Sequence, residues 1–321
     1  MGRHVAGDCP QLDRLVDEAC ASIGSEVAAL KLPRLAGVVL GGGYGRGEGG
    51  AVACRLSNDL DFFAITEPGV PESEAVAEIA SALQPLSRKW TAELGVDVDF
   101  AVKTPWRLKH DEERLMVQEL LRGYFDVAGR KGEELFVGIR RVDAAGLPWS
   151  EAARLLMNRG MGLLLAKEKV AGGGASAPGQ ESEFINRNIN KCVLGAGDAR
   201  LIAQGAYRWK AGDRAAALGD ALYSAAVEWK FRPKSEPVCN WETAREVWLA
   251  AIEEVSICDR CAGSSRSLRN AARWLVRRHS LGELRTFALD PVVRVLETVA
   301  RHVRDGRRAS DSLMRDWKVF N

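Results

Sequence analysis

No stretch of this chain runs apolar and unbroken for the roughly 18 residues that a membrane span needs, so no membrane partner is expected. The opening MGRHVAGDCPQLDRL has no apolar core of the secretory kind, and Ala6 stands where a myristoylation signal wants Ser or Thr. Charge of one sign is also lacking. The 45 Lys and Arg against 43 Asp and Glu leave a formal net charge of +2, so bulk electrostatics favour neither nucleic acid nor a membrane surface as partner. Histidine is scarce, and His4, His110, His279 and His302 share no catalytic spacing. The 7 cysteines are odd in number and scattered, which reads as reduced thiols in a cytoplasmic protein. Cys258-Asp-Arg-Cys261 is a lone C-x-x-C without the second pair that a structural zinc needs. No internal repeat appears.

What is present is concentrated between Gly37 and Ile65, GVVLGGGYGRGEGGAVACRLSNDLDFFAI. Val38–Leu40 is a short apolar run that ends in Gly41, Gly42 and Gly43, the pattern of a buried strand entering a tight turn. Glycines let backbone turn through φ > 0 and bring bare N–H groups close to a ligand, typically a phosphate. Asp59-Leu60-Asp61-Phe62-Phe63 then reads as a strand with both carboxylates on one face and Leu60 and Phe62 toward the core. Two carboxylates on one face repel unless a cation or proton lies between them, and Mg²⁺ carrying nucleotide phosphates resolves that economically. Gly95–Val102 repeats the theme, with Asp97 and Asp99 on one face of a further strand.

These elements, Gly42-Gly43-Tyr44-Gly45-Arg46-Gly47-Glu48, Asp59-Leu60-Asp61-Phe62 and Val96-Asp97-Val98, resemble the nucleotidyltransferase superfamily of DNA polymerase β. Within it, the aminoglycoside and minimal nucleotidyltransferases are the nearest in pattern. The resemblance covers about the first third of the chain. It departs at Gly43, where the family often has a phosphate-holding serine, and in the longer insert between Gly43 and Asp59. It implies two Mg²⁺ ions held by Asp59, Asp61 and Asp97, with Asp99 as general base or as the rival third ligand. It further implies a nucleoside triphosphate, ATP foremost, near Gly42, Gly43, Tyr44 and Arg46. Lys191, in FINRNINKCVLGAGDAR, matches a triphosphate-contacting lysine of related transferases.

The expected fold class is α+β: a small mixed β-sheet nucleotidyltransferase domain over 1–104, flanked by helices, then an all-α substrate-binding domain over 105–321. In the first, Leu12, Leu15, Val16, Ala19, Cys20, Ile23, Val27 and Leu30 give a helix over 10–30, with Asp8 as its cap and Pro10 in its first turn. A second helix spans 71–90, and Thr104-Pro105 opens a third over 107–123. Further helices are expected at 149–170, 183–210, 213–230, 240–256, 265–280 and 287–304, with a loop at 171–179 and no further strand. The tryptophans Trp209, Trp229, Trp241, Trp248 and Trp274 read as helix-packing residues. Gly45-x-Gly47-x-x-Gly50 matches a dinucleotide pattern, but the residues after it make a poor helix. Arg266, Arg269, Arg273 and Arg277 form a basic stripe at helical spacing, and Arg301, Arg304, Arg307 and Arg308 follow.

The function expected is transfer of a nucleoside monophosphate, AMP from ATP, to an acceptor hydroxyl of a small molecule or protein. The alternatives are an RNA-directed transferase using the basic stripe, and a non-catalytic nucleotide-sensing or antitoxin-like module. The acceptor, the base and the oligomeric state leave no mark in the sequence.

Overall fold

The computed structural model describes residues 2–7, 9–172, 178–261 and 291–320. It forms two compact units, Met1–Val142 with Phe231–Pro233, and Asp143–Lys230 with Lys234–Asn321. The boundary expected after residue 104 therefore falls after Val142 instead. The reason is a strand, Phe125–Gly129, which completes the sheet of the first unit from within the stretch expected to be all helical.

In the first unit, α1 (Pro10–Ala29) precedes β1 (Leu35–Leu40), the single turn α2 (Gly42–Gly45), and the hairpin of β2 (Ala51–Val52) and β3 (Arg55–Leu56). Then come β4 (Leu60–Thr66), α3 (Glu72–Leu94), β5 (Val98–Lys103), α4 (Pro105–His110), α5 (Leu115–Leu120), β6 (Phe125–Gly129) and α6 (Gly132–Leu135). The main sheet has the order β5-β4-β1-β6, parallel only between β4 and β5. It is a small mixed sheet with helices, so the chain is of the α+β class. The helix expected over 107–123 is two short helices, interrupted by Asp111–Arg114.

Strand alternation gives this sheet two covered faces. Val38, Leu40, Leu60, Phe62 and Ala64 form one core with Leu12, Val16, Ile23 and Val27 of α1 and Ile79 and Leu83 of α3. Each fully buried aliphatic of this kind contributes about 1.5–3 kcal/mol. Leu15 and Leu30, counted with the stripe of α1 from the sequence, are instead exposed. Val39, Phe63 and Ile65 face the other way and meet Leu108, Val117, Leu120 and Leu135. Asp61 belongs to this second face by alternation. Gly95, at φ 69, ends α3 in the left-handed conformation that suits a glycine C-cap. Thr104 caps α4 by accepting from the Arg107 N–H at 3.0 Å, as Thr104-Pro105 foretold. The Asp8 cap lies outside the described residues.

All described residues of the second unit in regular structure are helical: a 3-10 turn (Ala144–Gly146), then α7 (Trp149–Gly172), α8 (Pro178–Ala203), α9 (Ala211–Leu218), α10 (Ala221–Phe231), α11 (Trp241–Cys261), α12 (Pro291–Asp305) and α13 (Asp311–Phe320), with Phe231 itself assigned to the first unit. The expected helix 213–230 is broken by Gly219 at φ 64, and 183–210 stops at Ala203. Helix α13 had no counterpart in the sequence reading. The stretch 265–280, with the arginine stripe and Trp274, lies outside the described residues. Tryptophans lock this unit, as expected: the Trp248 indole sits over Gly160 and donates to the Leu156 carbonyl at 2.9 Å, and Trp241 donates to Leu163 at 2.9 Å.

Candidate active site

The glycine turn and the aspartates meet at one end of the sheet. The antiparallel pairing of β1 with β4 sets Leu40 opposite Phe62, and the next step brings the Gly41 N–H onto the Asp61 carbonyl at 2.8 Å. Gly42 follows at φ 60, and a Cβ there would overlap Oδ2 of Asp61. The glycine is thus required twice, by its backbone angle and by the carboxylate lying against its α-carbon.

The parallel pairing of β4 with β5 places the later acids relative to Asp61. Asp61 is in register with Asp99, and the Leu60 N–H donates to the Asp97 carbonyl at 2.8 Å. Asp97 therefore lies outside β5, one pleat nearer the sheet end than Asp99, and is exposed. Two side chains of α3 fix the residue between them: Ser87 Oγ donates to the Val98 carbonyl at 2.6 Å, and Thr91 Oγ1 accepts from its N–H at 3.0 Å. Asp99 carries the electrostatic signature of a carboxylate cluster. Partial burial first, then the neighbouring Asp97 and Asp59, hold its carboxyl above the usual carboxylate range.

The loop from the turn to Asp59 is built around Tyr44. This side chain is fully buried, so it does not face a ligand, contrary to the nucleotide contact expected of it. Its hydroxyl donates to the Gly50 carbonyl at 2.8 Å and accepts from the N–H groups of Ser57 and Asn58 at 3.1 and 3.4 Å. Burial raises its phenol; the two amides oppose that shift and nearby Asp59 adds to it. On the other side, His4 clamps the turn. Its Nδ1 donates to the Tyr44 carbonyl at 3.1 Å, and its Nε2 meets Asp17 of α1 at 3.0 Å. The segment around it bonds to Gly49 in both directions, through the His4 carbonyl and the Ala6 N–H. From the sequence His4 showed only a lack of catalytic spacing, and nothing local marks its clamping role; its partners lie 13 and 40 residues away.

Arg46 is also turned inward. Its guanidinium lies 3.3 Å from Glu119 and 3.9 Å from Glu48, so protein carboxylates already answer its charge. That arrangement does not support the phosphate contact expected of it. Gly43 remains part of the turn, half-buried, with the Glu48 carbonyl nearby. Lys191 belongs to the second unit, half-buried on α8.

Among the described residues, no group of three or more His, Cys, Asp or Glu side chains is disposed to hold a metal ion by itself. Hard oxygen donors are nevertheless what this sheet end supplies, and Mg²⁺ commonly takes only one or two carboxylates, filling its shell with water and substrate phosphate. Asp61 lies against the bare Gly42 backbone, with Asp59 two residues before it, so the chain supplies hard donors here rather than a preformed cage. No protein-family model matches the chain, and no curated protein matches it significantly.

Proposed function

We propose that the chain is a Mg²⁺-dependent nucleotidyltransferase that moves a nucleoside monophosphate, AMP from ATP, onto an acceptor hydroxyl. The observation that carries this reading is the contact between Asp61 and Gly42, with Asp99 as the registered neighbour of Asp61. A glycine turn, a carboxylate pair and a third acid on the adjacent strand are what a triphosphate and its counter-ions require in one place.

In this mechanism Asp59 and Asp61 would hold the metal, and the glycine turn would let the triphosphate approach the backbone. Mg²⁺ bound there would supply charge neutralisation for the triphosphate and acidification of the acceptor hydroxyl. Asp99 takes the proton of that hydroxyl, a task suited to a carboxyl held above its ordinary range. The acceptor oxygen then bonds to the α-phosphorus, the bond to the β-phosphate oxygen breaks, and pyrophosphate leaves.

The test offers the protein Mg²⁺ and each α-labelled nucleoside triphosphate, with aminoglycosides, RNA and cell lysate as acceptors. Asp59→Asn and Asp61→Asn run alongside. Label transfer with pyrophosphate release, lost in both variants, is the expected result and names the acceptor class. Nucleotide binding without transfer to any acceptor would replace the enzyme with a sensor, and absence of binding would defeat the reading.

A further inference from the structure

Resting on the reading of Asp59 and Asp61 as the metal-bearing pair, we infer that Tyr44 is the positioning residue that sets Asp59 against the glycine turn. A phenol has one proton to donate and lone pairs to accept with, and Tyr44 commits them to three backbone groups. Gly50 stands before the β2–β3 hairpin, and Ser57 and Asn58 stand after it. One oxygen therefore closes the base of the insert between the turn and the aspartates. Asn58 reinforces the closure, its Oδ1 accepting from the Gly50 N–H at 2.6 Å. Asp59 is the next residue, so its backbone is fixed within one peptide unit of the Tyr44 hydroxyl.

The hydroxyl is not needed to fill space. The ring packs against Gly49, where any side chain would collide with it, and a phenylalanine would fill the same volume. Burying a hydroxyl is unfavourable unless it is bonded, so the bonds it makes are its physical justification. At the opposite end of the residue, the Tyr44 carbonyl is held by His4, which is tied in turn to α1 through Asp17. Tyr44 thus transmits the rigid anchorage of α1 to the backbone beside Asp59.

Tyr44→Phe in the full chain tests this, with Mn²⁺ alone as the probe. Calorimetric titration is expected to show Mn²⁺ binding weakened about tenfold or more, the usual cost of losing a group that orients a ligand. Hydrogen–deuterium exchange of peptides covering residues 51–60 is expected to quicken, while β1 and β4 keep their protection. Leu83→Ala, a core truncation in α3, controls for lost stability and should leave Mn²⁺ affinity unchanged. Unaltered Mn²⁺ binding in Tyr44→Phe, with binding lost in Asp61→Asn, would overturn the Tyr44 inference alone. Unaltered binding in Asp61→Asn, or no binding in the wild type, would overturn the metal-site reading beneath it. Should Tyr44→Phe fail to fold, the wild type decides: Mn²⁺ should slow exchange over residues 51–60, and indifference there defeats the inference.

Discussion

Replacing Gly42 by alanine separates the two reasons for a glycine at that position. At φ 60, any Cβ is strained by about 1–2 kcal/mol. Alanine recovers about 0.4–1 kcal/mol of that by restricting the unfolded chain. Gly69 makes a clean reference, because it has φ 78 and nothing within 4 Å of an added Cβ. Gly69→Ala should thus cost about 0.5–1 kcal/mol. At Gly42 the new methyl would also overlap Asp61 Oδ2 and lie 3.0 and 3.1 Å from its Cγ and Cβ. Rotating the Asp61 side chain relieves the oxygen but not the Cβ, which the β4 backbone fixes. An off-rotamer aspartate adds about 0.5–1.5 kcal/mol, bringing the total to about 1–2.5 kcal/mol. For a unit of this size, each kcal/mol lowers Tm by about 2–4 °C. Thermal melts of the two variants, beside Mn²⁺ titrations, provide the assay. Gly42→Ala should melt below Gly69→Ala and lose Mn²⁺ affinity, which Gly69→Ala keeps. Equal melting with intact Mn²⁺ binding in both would refute the contact between turn and carboxylate, and the site with it.

Three further outcomes follow from the same geometry. Asp99 has its folded-state pKa raised, so it detracts from stability where it is ionised, and that deficit disappears as pH falls below the usual carboxylate range. In metal-free protein, Asp99→Asn should therefore raise Tm at neutral pH, with the gain shrinking on acidification, while nucleotidyl transfer is lost; no gain at neutral pH would contradict the carboxylate cluster. Arg46→Met strips the compensating charge from Glu119 and from buried Glu48, and should cost about 3 kcal/mol in denaturant unfolding. Its chief effect should be on stability, and a change in nucleotide KM without one would restore the phosphate role. In the second unit, buried Arg214 meets Asp198 at 2.8 Å and Tyr223 at 3.2 Å, so Arg214→Met should lose about 3–5 kcal/mol by the same assay.

How much of this was legible beforehand depends on the range over which each signal acts. The apolar period of α1, the Thr104-Pro105 start of α4, and the alternation of β4 with Leu60 and Phe62 inward are local patterns, and they appear in the fold. Strand β6 was missed because Phe125-Asp-Val-Ala-Gly offers only one alternation, too short to stand out from its helical surroundings. The interruption at Asp111–Arg114 escaped for a similar reason, since no glycine or proline marks it.

The sequence by itself determined that a glycine turn and two pairs of aspartates exist, each pair spaced by two residues, the period of a strand. Those facts need nothing beyond backbone stereochemistry and a period of two. Only the tertiary structure decided their relations. Strand register made Asp99 the neighbour of Asp61, which no amount of spacing within Val96–Phe100 could reveal. Burial turned Tyr44 and Arg46 inward, away from the ligand roles their place in the turn implied. His4 acquired its part only when the chain folded the N-terminal segment back over Gly49. Register, burial and long-range pairing are properties of surfaces brought together from distant parts of the chain, so a linear pattern cannot encode them locally.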